Sequence, residues 1–429
     1  MRARALSILE RVEAGEAFAE NLLRRDDSPF VRELVYGVLR RQLTLDAVHD
    51  AYGKRAAATL DAPVRAAVRL GVYQILFLDG IPRHAAVSEA VGALKLHSHR
   101  AYANGVLRNI VRNCNIVAPD LDRGGASPAK RFERPGRMVC FFTRPVFPDP
   151  ERGRVAYLAT YHSHPEFLVQ RWVDRMGEEQ AVAWMEAGNA VPALYLRPRA
   201  GRADASDLVQ RLMGEGLTAG VIERDHGPPA VQVVGKTRVL MTGRAFRDGL
   251  FSVQDIRQMD AAEILSPQPG EAIWDACAAP GGKTAHIAEL LAGKGQVVAT
   301  DRFAARLDRV RETVDRLGLE GVEVAEHDVL SEELPPGKPP RGFDAILLDA
   351  PCSNTAVLGA RPEARWRLEP GTFQEMATTQ TRMIEAARKH LAPGGRLVFS
   401  SCSREPEESE QHALTPTRSS LVWFAKSPS

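Results

Sequence analysis

Residues 272–301 read AIWDACAAPGGKTAHIAELLAGKGQVVATD, and this stretch decides the fold. AIWDA (272–276) and QVVATD (296–301) are short apolar runs, and KTAHIAELLA between them reads as a helix. Strand, helix, strand with continuously apolar strands is the pattern of a parallel sheet covered on both faces. It continues through VEVAEHD (322–328), FDAILLDAP (343–351) and GRLVFSSC (395–402), with helical stretches such as AARLDRVRETVDRLG between. The chain after Gly249 is therefore expected to be an α/β doubly wound domain. Ligands of such sheets lie at the carboxyl ends of the strands, where the strand order reverses. Those ends carry Asp275, Asp301, Asp328, Asp349 and Cys402, which are expected to converge on one crevice.

The turn after the first strand ends in Gly-Gly-Lys-Thr like a phosphate-binding loop, but that loop needs Gly at position 277, where Cys stands. G-x-G-x-x-G is absent too, so neither a nucleoside triphosphate nor a dinucleotide fits. What remains is a small-residue turn that lets a ligand approach backbone N–H groups at a helix start. Asp301, ending the second strand, is placed to accept from ribose hydroxyls; its bland role is a helix N-cap. A nucleoside without a pyrophosphate fits both features, and S-adenosylmethionine is the obvious one.

Upstream the texture changes. From Arg2 to about Asn113 apolar residues recur at three and four, as in RELVYGVLRRQLTLDAVHDAY and VRAAVRLGVYQILFL, with breaks at DDSP, DAP and DGIPRH. This is an all-α module, residues 1–115. Residues 116–154 are rich in Pro, Gly and Arg and read as a basic linker. Residues 155–248 mix helices (PEFLVQRWVDRMG, ASDLVQRLMGEG) with short strands (ALYLRP, AVQVV), an α+β subdomain. The doubly wound domain takes residues 249–410, and 411–429 form a tail.

The 429 residues carry 56 Lys+Arg against 54 Asp+Glu, a net +2, with 44% hydrophobic and 26% charged residues. That composition excludes a disordered, collagen-like or coiled-coil chain. The average conceals a gradient, because counting along the sequence gives +8 for residues 1–154 and −6 for 155–429. A basic front on an acidic back suits a protein whose front meets phosphates, and equally a solvated surface with a basic linker. The start, MRARALSILERVEAGEAFAE, lacks the apolar core of a signal peptide. VYQILFLDGI falls short of the roughly 20 residues that cross a bilayer. A soluble, cytoplasmic protein without membrane partners is expected.

Five cysteines, an odd number without a Cys-x-x-Cys pair, make neither a disulfide framework nor a metal site and suit a reducing compartment. Cys114, Cys140 and Cys277 read as small buried hydrophobes. Cys352 and Cys402 differ, because each follows an apolar strand and lands at the crevice. A reactive thiolate needs cationic or dipolar surroundings, which Lys283 and the cluster Arg361, Arg365 and Arg367 are expected to supply. Spacing does not choose the nucleophile between the two. His84, His162 and His164 have no cysteine or carboxylate at ligand spacing, so no metal is expected.

DACAAPGGKTAHIAELL, LLDAPCSNTAVLGARPEARWRL and LVFSSCSREPEESE resemble the RNA 5-methylcytosine methyltransferases of the Nol1/Nop2/Sun (Fmu) family. YGVLRRQLTLDAV, VRLGVYQILFLDGIPRHAAVSEAV and ANGVLRNIVRN resemble the NusB-type RNA-binding module. The resemblance covers about residues 2–113 and 157–410. It implies an S-adenosylmethionine-dependent Rossmann-like methyltransferase domain, an RRM-like RNA-binding character for residues 155–248, and a monomer acting on small-subunit (16S) rRNA to form 5-methylcytosine. It implies Cys402 as nucleophile, Cys352 as its partner in product release, and Asp349 as the acid beside the cytosine. The cofactor residues it carries over are Cys277, Ala278, Ala279, Pro280, Gly281, Gly282, Lys283, Asp301, Asp328 and Asp349. DNA cytosine enzymes use a Pro-Cys thiol, so Cys352 stands as the alternative nucleophile.

Three departures matter. Ser401 replaces the usual Thr, and Ala356 stands where Gly is usual, at about 1 kcal/mol if that turn needs a positive φ. The tail, HALTPTRSSLVWFAKSPS, is unlike the paired strands that normally complete the sheet. A truncated or divergent end is expected, with an exposed sheet edge. The alternatives to an rRNA enzyme are the same chemistry on tRNA or another RNA, and an RNA-binding protein disabled by its short end.

Overall fold

The computed structural model describes residues 1–24, 26–118, 125–134, 136, 138–235, 237–409 and 421–424. The chain divides into two compact units, Met1–Val191 with Val357–Pro370, and Pro192–Ala356 with Gly371–Ser429.

The first unit opens with helices α1 (Arg2–Glu13), α2 (Ala19–Leu22), α3 (Pro29–Tyr52), α4 (Ala62–Phe77), α5 (Arg83–Gly92) and α6 (His97–Asn113). The breaks expected from sequence are the helix starts. The Ser28 hydroxyl accepts from the Val31 N–H at 3.3 Å, and proline occupies the first turn of both α3 and α4, where a missing N–H costs nothing. Strands β1 (Cys114–Val117), β2 (Arg131–Glu133) and β3 (Val139–Phe142) then form an antiparallel sheet in the order β1-β3-β2, followed by α7 (Arg154–His162), α8 (Glu166–Met176) and α9 (Glu178–Asn189).

Two expectations are corrected here. Residues 116–154 are not simply a linker, because Phe132, Cys140, Phe142, Val146 and Phe147 are buried in the same apolar core as α1 to α6. Their strands are only three and four residues long, too short for alternation to stand out among Pro, Gly and Arg. Residues 119–124, 135 and 137 lie outside the described residues. Helices α7 to α9, grouped from sequence with residues 155–248, belong to the first unit.

The second unit contains a four-stranded antiparallel sheet, ordered β5-β6-β4-β7. Its elements are β4 (Leu194–Pro198), α10 (Ala205–Gly214), β5 (Thr218–Ile222), β6 (Ala230–Val234), α11 (Thr237–Thr242), α12 (Arg244–Arg247) and β7 (Phe251–Val253). After α13 (Ile256–Leu265) comes the main sheet: β8 (Ala272–Asp275), α14 (Gly282–Leu290), β9 (Gln296–Asp301), α15 (Ala304–Leu317), β10 (Val322–Glu326), β11 (Phe343–Asp349), α16 (Thr372–Arg388), β12 (Leu391–Ser400) and β13 (Leu421–Phe424). Its order is β10-β9-β8-β11-β12-β13, and every neighbouring pair is parallel.

Both faces of that sheet are apolar, as the continuous runs require. Trp274, Val298, Ile346, Leu348 and Phe399 pack with Met383 and Ile384 of α16. The alternate residues Ile273, Val297, Ala345, Leu347 and Val398 pack with Leu265 of α13 and Ile287 of α14. Because the strands are parallel, all their carboxyl ends share one edge, and the order reverses between β8 and β11.

The tail differs from its expectation. Leu421–Phe424 pair in parallel with Leu397–Ser400, so β12 is not the edge of the sheet. LVWF is apolar and aromatic enough to take a ladder position. Residues 410–420 and 425–429 lie outside the described residues. Among the described residues no helix is long and apolar enough to cross a membrane.

Candidate active site

The turn Cys277-Ala278-Ala279-Pro280-Gly281-Gly282-Lys283 joins β8 to α14 at the point where the strand order reverses. It is tied to the next strand by the Ala278 N–H donating to Thr300 O at 2.8 Å, and closed by the Gly281 N–H donating to Ala278 O at 2.7 Å. Gly281 has φ +103°, and a Cβ there would stand 3.0 Å from Val310 Cα. Only glycine takes that backbone and that approach together. Gly282 then starts α14, leaving its first N–H groups for a ligand.

Four carboxylates lie at the carboxyl ends of the strands around the turn. Asp275 is fully buried; its Oδ2 accepts from the Thr284 hydroxyl at 2.6 Å, and its Oδ1 has no hydrogen-bond partner among the described residues. Burial pushes its carboxyl up to about 7, against the opposing pull of Thr284 and Lys283. Asp349, at the end of β11, accepts from Lys283 Nζ at 2.7 Å. Burial alone would lower the Lys283 ammonium, but Asp349 outweighs it, so the group is raised and stays cationic. Asp301 ends β9, accepts from the Phe303 N–H at 3.1 Å and pairs with Arg306 at 3.0 Å. It forms a turn ahead of α15, whose N-cap is Phe303. Asp328 follows β10 and accepts from the Leu330 N–H at 2.9 Å.

The two singled-out thiols meet. Cys352 Sγ and Cys402 Sγ are 2.7 Å apart, one beyond β11 and the other beyond its neighbour β12, and both are free. The hydrogen bond with Cys402 lowers the Cys352 thiol, with burial and the Glu408 charge opposing. Two thiols this close titrate as a pair, so that lowering belongs to the pair's first proton rather than to one sulfur. Asn354 links them: its Nδ2 donates to Cys352 O at 2.8 Å and its Oδ1 accepts from Cys402 Sγ at 3.3 Å. Cys277 is different, since burial and the surrounding carboxylates push its thiol well above the ordinary value and keep it neutral.

Several expectations change. Arg361, Arg365 and Arg367 find partners within the first unit. Arg365 is fully buried in the first unit, donating to Ser163 O at 3.0 Å, Asn189 Oδ1 at 2.8 Å and Gly188 O at 2.6 Å. Arg367 donates to Ala17 O and Arg361 pairs with Glu20, in the same unit. Lys283 is a cation whose charge acts on Cys402. Ala356 carries no strain, because the positive φ in its loop falls on Asn354 at 61°. His162 is buried and pushed down to about 4, and His164 Nδ1 lies 2.8 Å from His162 O. Among the described residues no group of three or more His, Cys, Asp or Glu is arranged to hold a metal.

Sequence reading missed Asn354, Thr284 and Glu408. Asn354 carried a signal, since asparagine tolerates the left-handed region better than most residues.

Residues 262–416 match the family model described as 16S rRNA methyltransferase RsmB/F, and residues 1–112 match the NusB family. A probable ribosomal RNA small subunit methyltransferase B from Synechocystis is 32% identical over 397 residues, 92% of this chain and 81% of the relative. The chain belongs to the RsmB/F family. The ribosomal RNA small subunit methyltransferase B of Escherichia coli O127:H6 is 33% identical over 386 residues, 89% of this chain and 80% of the relative. The crystal structure of PH0851 shares the fold, with a TM-score of 0.74 over 96% of this chain and 88% of its own, at 24% identity. As a member of the RsmB/F family the chain is an S-adenosylmethionine-dependent rRNA methyltransferase.

The residues of the crevice fit that cofactor. The glycine cradle at Gly281, the open start of α14, the buried and unpartnered Asp275 Oδ1, and Asp301 at the next strand end offer donors and acceptors suited to a nucleoside with a zwitterionic tail.

Proposed function

We propose that this protein forms 5-methylcytosine in small-subunit (16S) rRNA, with Cys402 as the nucleophile. The observation that carries the reading is the pair of thiols 2.7 Å apart at the ends of β11 and β12, beside the Lys283–Asp349 pair. Carbon 5 of cytosine is a poor nucleophile. Addition of the Cys402 thiolate to carbon 6 moves electron density onto carbon 5, which can then form its bond to a methyl group. This covalent route divides one difficult step into easier ones. Addition puts negative charge on the cytosine N3; a proton passed from Asp349 to N3 neutralises it, and the Lys283 ammonium stabilises the Asp349 carboxylate left behind. Loss of the carbon 5 proton to a base and expulsion of the thiolate restore the aromatic ring. Cys352, in contact with the nucleophile, assists that release.

The Cys277–Lys283 turn, Asp301 and Asp328 would hold the cofactor, which would supply an electrophilic methyl group when bound. The chain supplies position and electrostatics. The cytosine must leave its stack to reach the thiols, so an unpaired or splayed nucleotide is the substrate form. The +8 charge of residues 1–154 supports a phosphate-facing role for the helical module.

The experiment is transfer of labelled methyl from S-adenosylmethionine to unmodified 16S rRNA, followed by nucleoside analysis. 5-Methylcytidine is expected with the wild type and none with Cys402→Ala. Label in another nucleoside, or none with folded wild-type protein, overturns the reading.

A further inference from the structure

SREPEESE follows the second cysteine, and two of its acids, Glu405 and Glu408, are drawn completely inside. Glu408 is fully buried. Its Oε1 accepts from the Ser403 hydroxyl at 2.7 Å, and its Oε2 accepts from the Ser353 N–H at 2.8 Å and from Gln380 Nε2 at 3.1 Å. Ser353 follows Cys352 and Ser403 follows Cys402, so a single carboxylate grips the residue next to each thiol.

The grip extends into a small network. Ser353 Oγ and Ser403 Oγ are 2.9 Å apart, Ser403 Oγ also accepts from the Glu405 N–H at 3.0 Å, and Thr355 Oγ1 stands 3.3 Å away. A hydroxyl has one proton and two lone pairs. With Glu408 as carboxylate, Ser403 must donate to it, leaving its lone pairs for Glu405 and for the hydroxyl of Ser353 or Thr355. Gln380, from α16, fixes the other side by also donating to Pro351 O at 2.9 Å. The Arg404 N–H donates to Thr355 Oγ1 at 2.9 Å and the Ala356 N–H to Cys402 O at 3.0 Å, so the two loops are laced from both directions.

We propose that Glu408 is the positioning residue that sets the register of the two cysteine loops and so holds the thiols in contact. The proposal rests on the reading of Cys352 and Cys402 as the reacting pair. Glu408 touches no reacting atom; it acts through Ser353 and Ser403. Burial raises its own carboxyl, and its charge in turn raises the Cys352 thiol. In Glu408→Gln the side chain keeps its size, but one acceptor becomes a donor that opposes the Ser353 N–H or the Ser403 hydroxyl.

The test is capture of the thiol pair by phenylarsine oxide, in which arsenic bonds both sulfurs and water leaves. Capture by the buried Cys114 and Cys140 is measured in Cys352→Ala and subtracted. Glu408→Gln is expected to weaken capture about tenfold and to lower kcat about 100-fold with KM unchanged, the scale of a small misplacement of reacting groups. The alkylation profile of Cys352 moves to higher pH, because loss of the Cys402 contact, the largest cause of its lowering, outweighs loss of the Glu408 charge. Ser403→Ala, which removes only one link, repeats these effects in smaller degree and serves if Glu408→Gln does not fold. Wild-type capture in whichever variant folds overturns the proposal, whatever happens to kcat. If Cys402→Ala still methylates RNA while Glu408→Gln loses capture, the catalytic reading fails and the positioning role stands.

Discussion

Cys352 Sγ lies 2.7 Å from Cys402 Sγ across neighbouring parallel strands. This contact joins two residues 50 apart in sequence and gives each sulfur a different fate when removed. Cys402→Ala should abolish methyl transfer, by about 10⁴-fold or more for loss of a nucleophile. Cys352→Ala should still attack but release slowly, so a denaturant-stable protein–RNA complex accumulates on a gel. If the trapped species forms with Cys402→Ala instead, the roles are reversed and Cys352 is the nucleophile.

Lys283 and Asp349 form the second pair, with their side chains 8% and 30% exposed. Lys283→Met leaves Asp349 facing the buried Asp275 without its cation. The expected cost is about 3 kcal/mol, the low end for a broken buried pair because Asp349 is partly solvated. Lys283→Met/Asp349→Asn should recover most of that stability in urea unfolding without recovering methyl transfer. Recovery of both would remove Asp349 from the chemistry.

Legibility in the sequence followed the length and regularity of each signal. The parallel sheet was readable because its strands are apolar on both faces, and Trp274 and Ile273 indeed bury on opposite sides. Helix starts at Ser28 and Pro63 were readable from local chemistry. The β1–β3 sheet was not, since three- and four-residue strands carry too little pattern. Asp301, Asp349, Cys352 and Cys402 could be placed at strand ends, because a strand end is a local property. Arg365 could not be placed, because its partners Ser163, Gly188 and Asn189 are more than 170 residues away in sequence.

Arg365 therefore yields a prediction opposite to the one its proximity to the Cys352 motif suggested. Its guanidinium satisfies Ser163 O, Gly188 O and Asn189 Oδ1 inside the helical unit. Arg365→Met strands three buried acceptors, each worth about 1 kcal/mol or more. A loss of about 3 kcal/mol is expected in thermal or urea unfolding. Arg365→Lys should not rescue it, because an ammonium lacks the planar fork. The rate of Cys402 alkylation in folded Arg365→Lys should match the wild type. A lowered thiol reactivity at unchanged stability would return Arg365 to the thiols.

Asp275 makes stability depend on pH in the less familiar direction. Its carboxyl is pushed up to about 7 by burial, above the usual 3.8. Between those values the folded chain holds a proton that the unfolded chain has lost, so this group's contribution falls as pH rises from about 4 to about 7. The full shift corresponds to at most about 4 kcal/mol. Asp275→Asn keeps an oxygen for the Thr284 hydroxyl and cannot ionise, so its stability lacks this term. The comparison is urea unfolding of both proteins at pH 5 and pH 8. The wild type should lose stability relative to Asp275→Asn on going to pH 8, by roughly 2–3 kcal/mol for the part of the window crossed. Parallel pH profiles would mean that Asp275 is ionised throughout, and that its Oδ1 finds a donor in solution.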